Sequence, residues 1–318
     1  MWKGKYVFNV MKDIRGNEMH TTLKYILFTG IVCSIGAFAY AAEPIKFLPM
    51  APIYVDGKGA GIKQPESVSC RGNSLVVADT GNGKLLRYTI TGETWTPGAD
   101  IILSQLPYPI RVALNSKGEI YALDGKLRRI GRVSPSGEFM GYVTPTGDVQ
   151  GTIVPRSIRL DRSDNLYLLD VSSARVLVLD PSGKIQREIP FPKEYGFFSD
   201  LSVDGNGNIY LVDSVMKRVF SVGKNSSAIS PLPEGLNGEV DFPVAIETDS
   251  RGTIFLVDQN GGGIVIVGKD GSFQSRRLSM GWKDGFLRFP TQMCISETGN
   301  VFIADRGNNR IEAFLIKE

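Results

Sequence analysis

The side chains in this chain that are able to hold a polar ligand or an ion are few and regularly spaced. Arg111, Arg159, Asp200, Glu247 and Gln292 fall at matched positions of a recurring pattern, each on a short stretch that alternates polar and apolar residues. Two guanidinium groups and two carboxylates on one face suit either recognition of a small polar ligand or pairing with one another around solvent, and we take the second reading. Asp200, Glu247 and Gln292 also supply oxygens of the kind a hard divalent cation takes, which supports an alternative as a metal-dependent hydrolase. The main reading names no catalytic residue, no resident metal and no cofactor.

One absence narrows the chemistry further. The single histidine, His20, precedes the folded region, so the chain beyond residue 41 has none. Ser-His-Asp and Cys-His nucleophile pairs, a histidine proton shuttle, histidine-ligated zinc and c-type haem attachment are therefore all excluded there. Of the three cysteines, Cys70 and Cys294 lie beyond residue 41 on segments expected to be neighbours. Cys294 matches Ser69 rather than Cys70, which sets the two on opposite faces and favours two separate buried thiols over a disulfide.

These residues are positioned by an internal repeat. Each copy has an opening residue, an alternating strand, a polar turn, a hydrophobic strand ending in Asp, a second turn and a third strand. The hydrophobic strands end at Asp79, Asp124, Asp170, Asp213, Asp258 and Asp305, at intervals of 45, 46, 43, 45 and 47 residues. That period fits one four-stranded propeller blade. Five copies open with proline, at Pro65, Pro109, Pro155, Pro243 and Pro290, and the fourth has Phe198 there. A basic residue stands five positions after the Asp in all copies but the fifth, where Gly263 replaces Lys84, Arg129, Arg175, Arg218 or Arg310. A residue present in every copy is read as a turn and pairing device rather than a site. Asp204-Gly205-Asn206-Gly207-Asn208 resembles the start of a calcium loop, yet it occupies the turn position of its copy and lacks the bidentate Glu, so it too is read as a turn.

The signature PxxIxxDxxGxxYxxD followed by NxRI, clearest in PTQMCISETGNVFIADRGNNRIEAF, resembles the NHL-repeat family of β-propellers from about Gln64 to Ile316. The resemblance implies an all-β, six-bladed β-propeller. It implies little about function, because the family's members range from protein-binding and RNA-binding modules to lyases and relatives of lactonases. The peptide-amidating and streptogramin-inactivating lyases among them depend on histidine, which is missing here.

Propellers line a central channel with alternate residues of each inner strand. The third residue from each opening is Ser67, Arg111, Ser157, Asp200, Ala245 and Gln292, and the fifth is Ser69, Ala113, Arg159, Ser202, Glu247 and Cys294. The last copy stops after its third strand, so Ile45–Leu48 or Ile53–Val55 is expected to complete it and latch the ring. Tyr195, Phe197, Phe198, Trp282, Phe286 and Phe289 lie on segments entering the fourth and sixth copies. Packing between blades is taken over a partner-binding rim, and the cluster Arg128, Arg129 and Arg132 is taken as a solvated strand face.

The uncharged run Tyr25–Ala42 follows Lys24 and ends in Ala37-Phe38-Ala39-Tyr40-Ala41, as an export signal cleaved after Ala41 would. Residues 1–41 are thus read as a signal peptide, with a retained signal anchor as the alternative, and 42–318 as the propeller. The expected location is outside the cytoplasmic membrane. Residues 1–41 hold five of the 36 Lys and Arg and two of the 33 Asp and Glu, so the rest of the chain is charge-balanced. Nucleic acid is not an expected partner. The reading is a non-enzymatic scaffold for a protein, peptide or glycan, touching a membrane only through a retained anchor.

Overall fold

The computed structural model describes residues 45–148 and 150–317. The expected export segment, with His20 and Cys33, lies outside the described residues. Six antiparallel sheets of four strands follow one another along the chain as the blades of a propeller, which is the fold class expected from the repeats.

The inner strands are Ser67–Arg71, Pro109–Leu114, Pro155–Leu160, Phe198–Val203, Pro243–Thr248 and Pro290–Ile295. In blades 2 to 6 the register shifts one residue after the opening position, so Arg111, Ser157, Asp200, Ala245 and Gln292 share one pairing level. The second strand of each blade is sandwiched between blades and buried on both sides, which is why it reads as an unbroken hydrophobic run. Six apolar clusters form the core, one between each pair of neighbouring blades, including the pair that closes the ring.

Each recurrent Asp ends its strand fully buried and ties two connections together. The Asp124 carboxylate accepts the N–H groups of Tyr108 (2.6 Å), Lys126 (2.9 Å) and Leu127 (2.8 Å). Asp213 does the same for Gly196, Phe197, Val215 and Met216. These carboxylates satisfy N–H groups that turns would otherwise leave buried and unpaired. The basic residues five positions on are less uniform. Arg175 and Arg310 reach their own Asp at 3.0 and 2.9 Å, whereas Lys84 pairs with Asp56 and Asp100, Arg218 caps carbonyls, and Arg129 lies 3.5 Å over the Tyr142 ring.

The N-terminal strand Lys46–Pro49 pairs antiparallel with the last strand, Arg310–Lys317, and a bridge from Ile53 to Ile311 extends the contact. It is the missing outer strand of blade 6. On the same seam Cys70 and Cys294 form a disulfide, with Cα atoms 5.9 Å apart. This corrects the expectation of two separate thiols. Opposite facing forbids a bond only within one sheet; here the sheets differ. Cys70 shares the interblade side of its strand with Val68, and that side packs onto the blade carrying Cys294.

Antiparallel strands send successive connections to alternate ends. Links from second to third strand, and from blade to blade, share one end, the loop face. Hairpins from inner to second and from third to outer strand share the other, the turn face.

Candidate functional site

Three of the five channel residues come together. Arg159 of blade 3 donates from Nη2 to Asp200 (3.1 Å) and to the Ile246 carbonyl (3.1 Å), and from Nε to the Leu201 carbonyl (2.9 Å). Glu247 of blade 5 completes the group 3.5 Å from Nη2. Burial opposes the charge on Arg159, but Asp200 and Glu247 more than offset it and hold the guanidinium above its ordinary range. Burial pushes the Glu247 carboxyl up, with the Arg159 charge opposing.

Arg111 and Gln292 sit elsewhere. Arg111 donates to the carbonyls of Ile110 (2.8 Å) and Glu66, and burial pushes its guanidinium down. Gln292 is fully buried, accepting from Ser67 Oγ and the Val68 N–H. The same logic recurs around the channel. Ser67 Oγ accepts the Val112 N–H, Ser69 Oγ the Leu114 N–H, and Asp200 the Ile246 N–H. The polar residues of the inner strands therefore stitch blade 6 to blade 1, 1 to 2, 3 to 4 and 4 to 5.

This arrangement does not suit a divalent cation. Asp200 and Glu247 face a guanidinium already seated between them, and Gln292 is committed to blade 1. Among the described residues no group of three or more His, Cys, Asp or Glu side chains is placed to hold a metal ion. Asp204 takes the Asn206 and Asn208 N–H groups at 2.9 Å each, so the calcium-like sequence is a turn.

Towards the turn face the channel opens into a cavity of about 600 Å³, whose lining includes Arg159, Glu247, Cys70, Cys294, Ser69 and Thr248. Arg71, which the spacing did not single out, crosses this mouth from blade 1 to blade 3. It donates to Asp164 (2.8 Å) and to the Arg162 carbonyl (3.2 Å). Its sequence signal is the short hairpin Arg71-Gly72-Asn73-Ser74, where the other copies have a longer turn; Gly72 has φ +54°, as this tight turn requires.

The two faces differ sharply. Among the described residues, seventeen large apolar side chains are exposed, of which fourteen lie on loop-face connections, three on strands and none on turn-face hairpins. Of the aromatic residues expected to pack between blades, only Phe198 does so, at 1% exposure. Tyr195, Phe197, Phe286 and Phe289 are exposed by about two-fifths and Trp282 by 77%. They differ because they lie on connections rather than on strands, where contact is partial: Tyr195 stacks on Phe198 at 5.3 Å and Arg156 lies over Phe197 at 5.5 Å.

The residue before each opening position is Gln64, Tyr108, Val154, Phe197, Phe242 or Phe289, so four blades present an aromatic ring at one equivalent place. Three carry a cation: Lys126 over Tyr108 at 5.0 Å, Arg156 over Phe197 at 5.5 Å and Arg288 over Phe289 at 6.0 Å. The Trp282–Phe286 segment is held from beneath by buried Arg310, which donates to the carbonyls of Trp282, Lys283 and Phe286 and to Asp284. Of the basic cluster in blade 2, Arg128 is exposed, Arg129 is stacked, and Arg132 pairs with Glu119 at 3.1 Å.

No family model and no curated protein matches this sequence. Solved structures do match, and six-bladed β-propellers, lyases and gluconolactonases among them, are represented there. A streptogramin B lyase has a TM-score of 0.61 at 13% identity, over 86% of this chain and 98% of its own. A gluconolactonase from Xanthomonas campestris has a TM-score of 0.63 at 12% identity, over 87% and 99%. The nidogen–laminin complex contains a propeller with a TM-score of 0.53 at 18% identity, over 73% and 92%. A histidine-to-alanine virginiamycin B lyase from Staphylococcus aureus, similar at TM-score 0.58 and 12% identity over 86% and 99%, is described as catalytically inactive. At these identities the likeness shows the fold alone.

Proposed function

We propose that the chain is a non-enzymatic binding scaffold that takes a protein or peptide partner on its loop face. The concentration of exposed apolar side chains on that face carries the proposal. Scattered apolar residues are ordinary on a soluble surface, but a set concentrated on one face and rich in aromatic rings marks an interaction surface. The lack of histidine beyond residue 41 speaks against the lyase chemistry of the structural neighbours. The Arg159 guanidinium between Asp200 and Glu247 speaks against a metal-dependent lactonase.

The test is selection of binders from a displayed peptide library on residues 42–318, with a Phe197→Ser, Trp282→Ser, Phe289→Ser variant run in parallel. Binders that lose affinity for the variant while its melting curve is unchanged support the proposal. Binders indifferent to the variant, or a stoichiometric divalent ion in purified protein that is lost on Glu247→Ala, overturn it.

A further inference from the structure

Resting on the loop face as the binding face, we infer that its partner is an acidic protein segment, carrying carboxylates among apolar side chains, seated on the sector of the face spanning blades 6, 1, 2 and 3. The juxtaposition of cations and rings there carries the inference. Lys63, Lys126, Arg128, Arg156 and Arg288 all stand exposed on this sector, and none makes an ion pair among the described residues. Its carboxylates are largely spent within the chain: Glu66 binds Arg306 at 3.0 Å, Asp284 binds Arg310 at 3.0 Å and Asp100 binds Lys84 at 2.9 Å, leaving Asp148 exposed. The remaining sector, at blades 4 and 5, is mainly acidic, with Glu194, Glu234, Glu239 and Asp241 exposed beside Lys193.

Three of the cations already rest over aromatic rings. A ring contact holds a long basic side chain in place without neutralising it, so less rotamer freedom is lost when a carboxylate arrives. Trp282 and Phe289, on the connection that also carries Arg288, add exposed apolar area to this sector. Phe289 adopts φ +50°, a conformation rare for a bulky residue, and it turns the ring outward at 44% exposure. Aromatic and Arg side chains together are the usual centre of a protein interface. The charge pattern then selects the partner's sign and speeds encounter.

Fluorescence polarisation of a labelled glutamate–tyrosine random copolymer against residues 42–318 tests this, with serine–tyrosine and lysine–tyrosine copolymers and a single-stranded RNA as comparison probes. Binding of the glutamate–tyrosine copolymer is expected to exceed the others and to weaken about tenfold on raising salt through the range where the Debye length halves. Arg156→Glu, Arg288→Glu, both at exposed positions, is expected to weaken it by a further tenfold or more while leaving the melting curve unchanged. Equal binding of the serine–tyrosine copolymer, with sensitivity to Trp282→Ser, overturns the acidic partner but leaves the loop-face reading intact. Preference for the lysine–tyrosine copolymer, tighter binding of the RNA, or no binding of the glutamate–tyrosine copolymer also overturns it. Insensitivity of every probe to both sets of variants sinks the loop-face reading as well.

Discussion

The ring is closed twice at one seam, and removing the covalent closure tests how much it contributes. Replacing Cys70 and Cys294 by Ser in residues 42–318 opens a cross-link between positions 224 residues apart. The chain-entropy model gives about 5 kcal/mol for a loop of this length, and native disulfides typically deliver about 2–4 kcal/mol. Against a total stability of about 5–15 kcal/mol this is a large share. The native seam should survive in the variant, because Thr291 still donates to the Pro65 carbonyl, Arg306 still pairs with Glu66, and Glu297 still accepts the Gly72 N–H. The loss therefore lies in a freer unfolded chain rather than in a damaged fold. Thermal unfolding should show the same folded-state circular dichroism for both proteins and a midpoint lower by about 3–9 °C in the serine variant. Reduction of the parent protein should reproduce the shift. Coincident midpoints, or two free thiols titrated in the denatured, unreduced parent, would refute the reasoning.

Other outcomes follow from the same structure. Phe47 packs edge-on against Phe314 (5.6 Å) and Phe255 (6.4 Å), so Phe47→Ala should cost about 2–3 kcal/mol in denaturant unfolding and unlatch the N-terminal strand. A cost larger in the serine variant than in the parent would show that latch and disulfide close the same seam. Burial pushes the Glu312 carboxyl from its ordinary 4.5 up to about 7, with the Arg310 charge opposing. The folded state thus holds this proton more tightly than the unfolded chain, and the associated stability is present below 4.5 and lost as pH rises to about 7. Glu312→Gln should flatten the stability profile through that window by up to about 3 kcal/mol relative to the parent; parallel profiles would refute the assignment. Asp200→Ala should destabilise by about 3–5 kcal/mol, because Arg159 loses its closest carboxylate while remaining buried, and a near-neutral result in urea unfolding would contradict the geometry. N-terminal sequencing of exported protein should begin at or near Ala42, and an intact Tyr25–Ala41 segment in the membrane fraction would establish an anchor instead.

The blade count and channel register could be read directly from the chain because the devices that build a blade act over short sequence distances. Asp161 bonds Ser163 and Asn165 within its own turn, and Asp170 reaches only from Val154 to Arg175. Such contacts recur wherever the same residues recur. The alternation that assigned Arg159 and Glu247 to the channel likewise follows from the two-residue period of a strand. The N-terminal latch was legible for a related reason, since a blade short of one strand leaves an edge that some segment must cover.

What tertiary structure decided lies between blades. Whether Arg159 meets Asp200 and Glu247, while Arg111 and Gln292 do not, depends on how neighbouring sheets are inclined, and strand parity carries no such information. The Cys70–Cys294 bond escaped the parity argument because that argument holds within one sheet, and these residues belong to two. The aromatic rings of the loop face escaped it as well: Phe197 and Phe198 are adjacent in sequence, yet one is 38% and the other 1% exposed. Burial of a connection is set by the loops that happen to cross it, at sequence distances where no local pattern reaches.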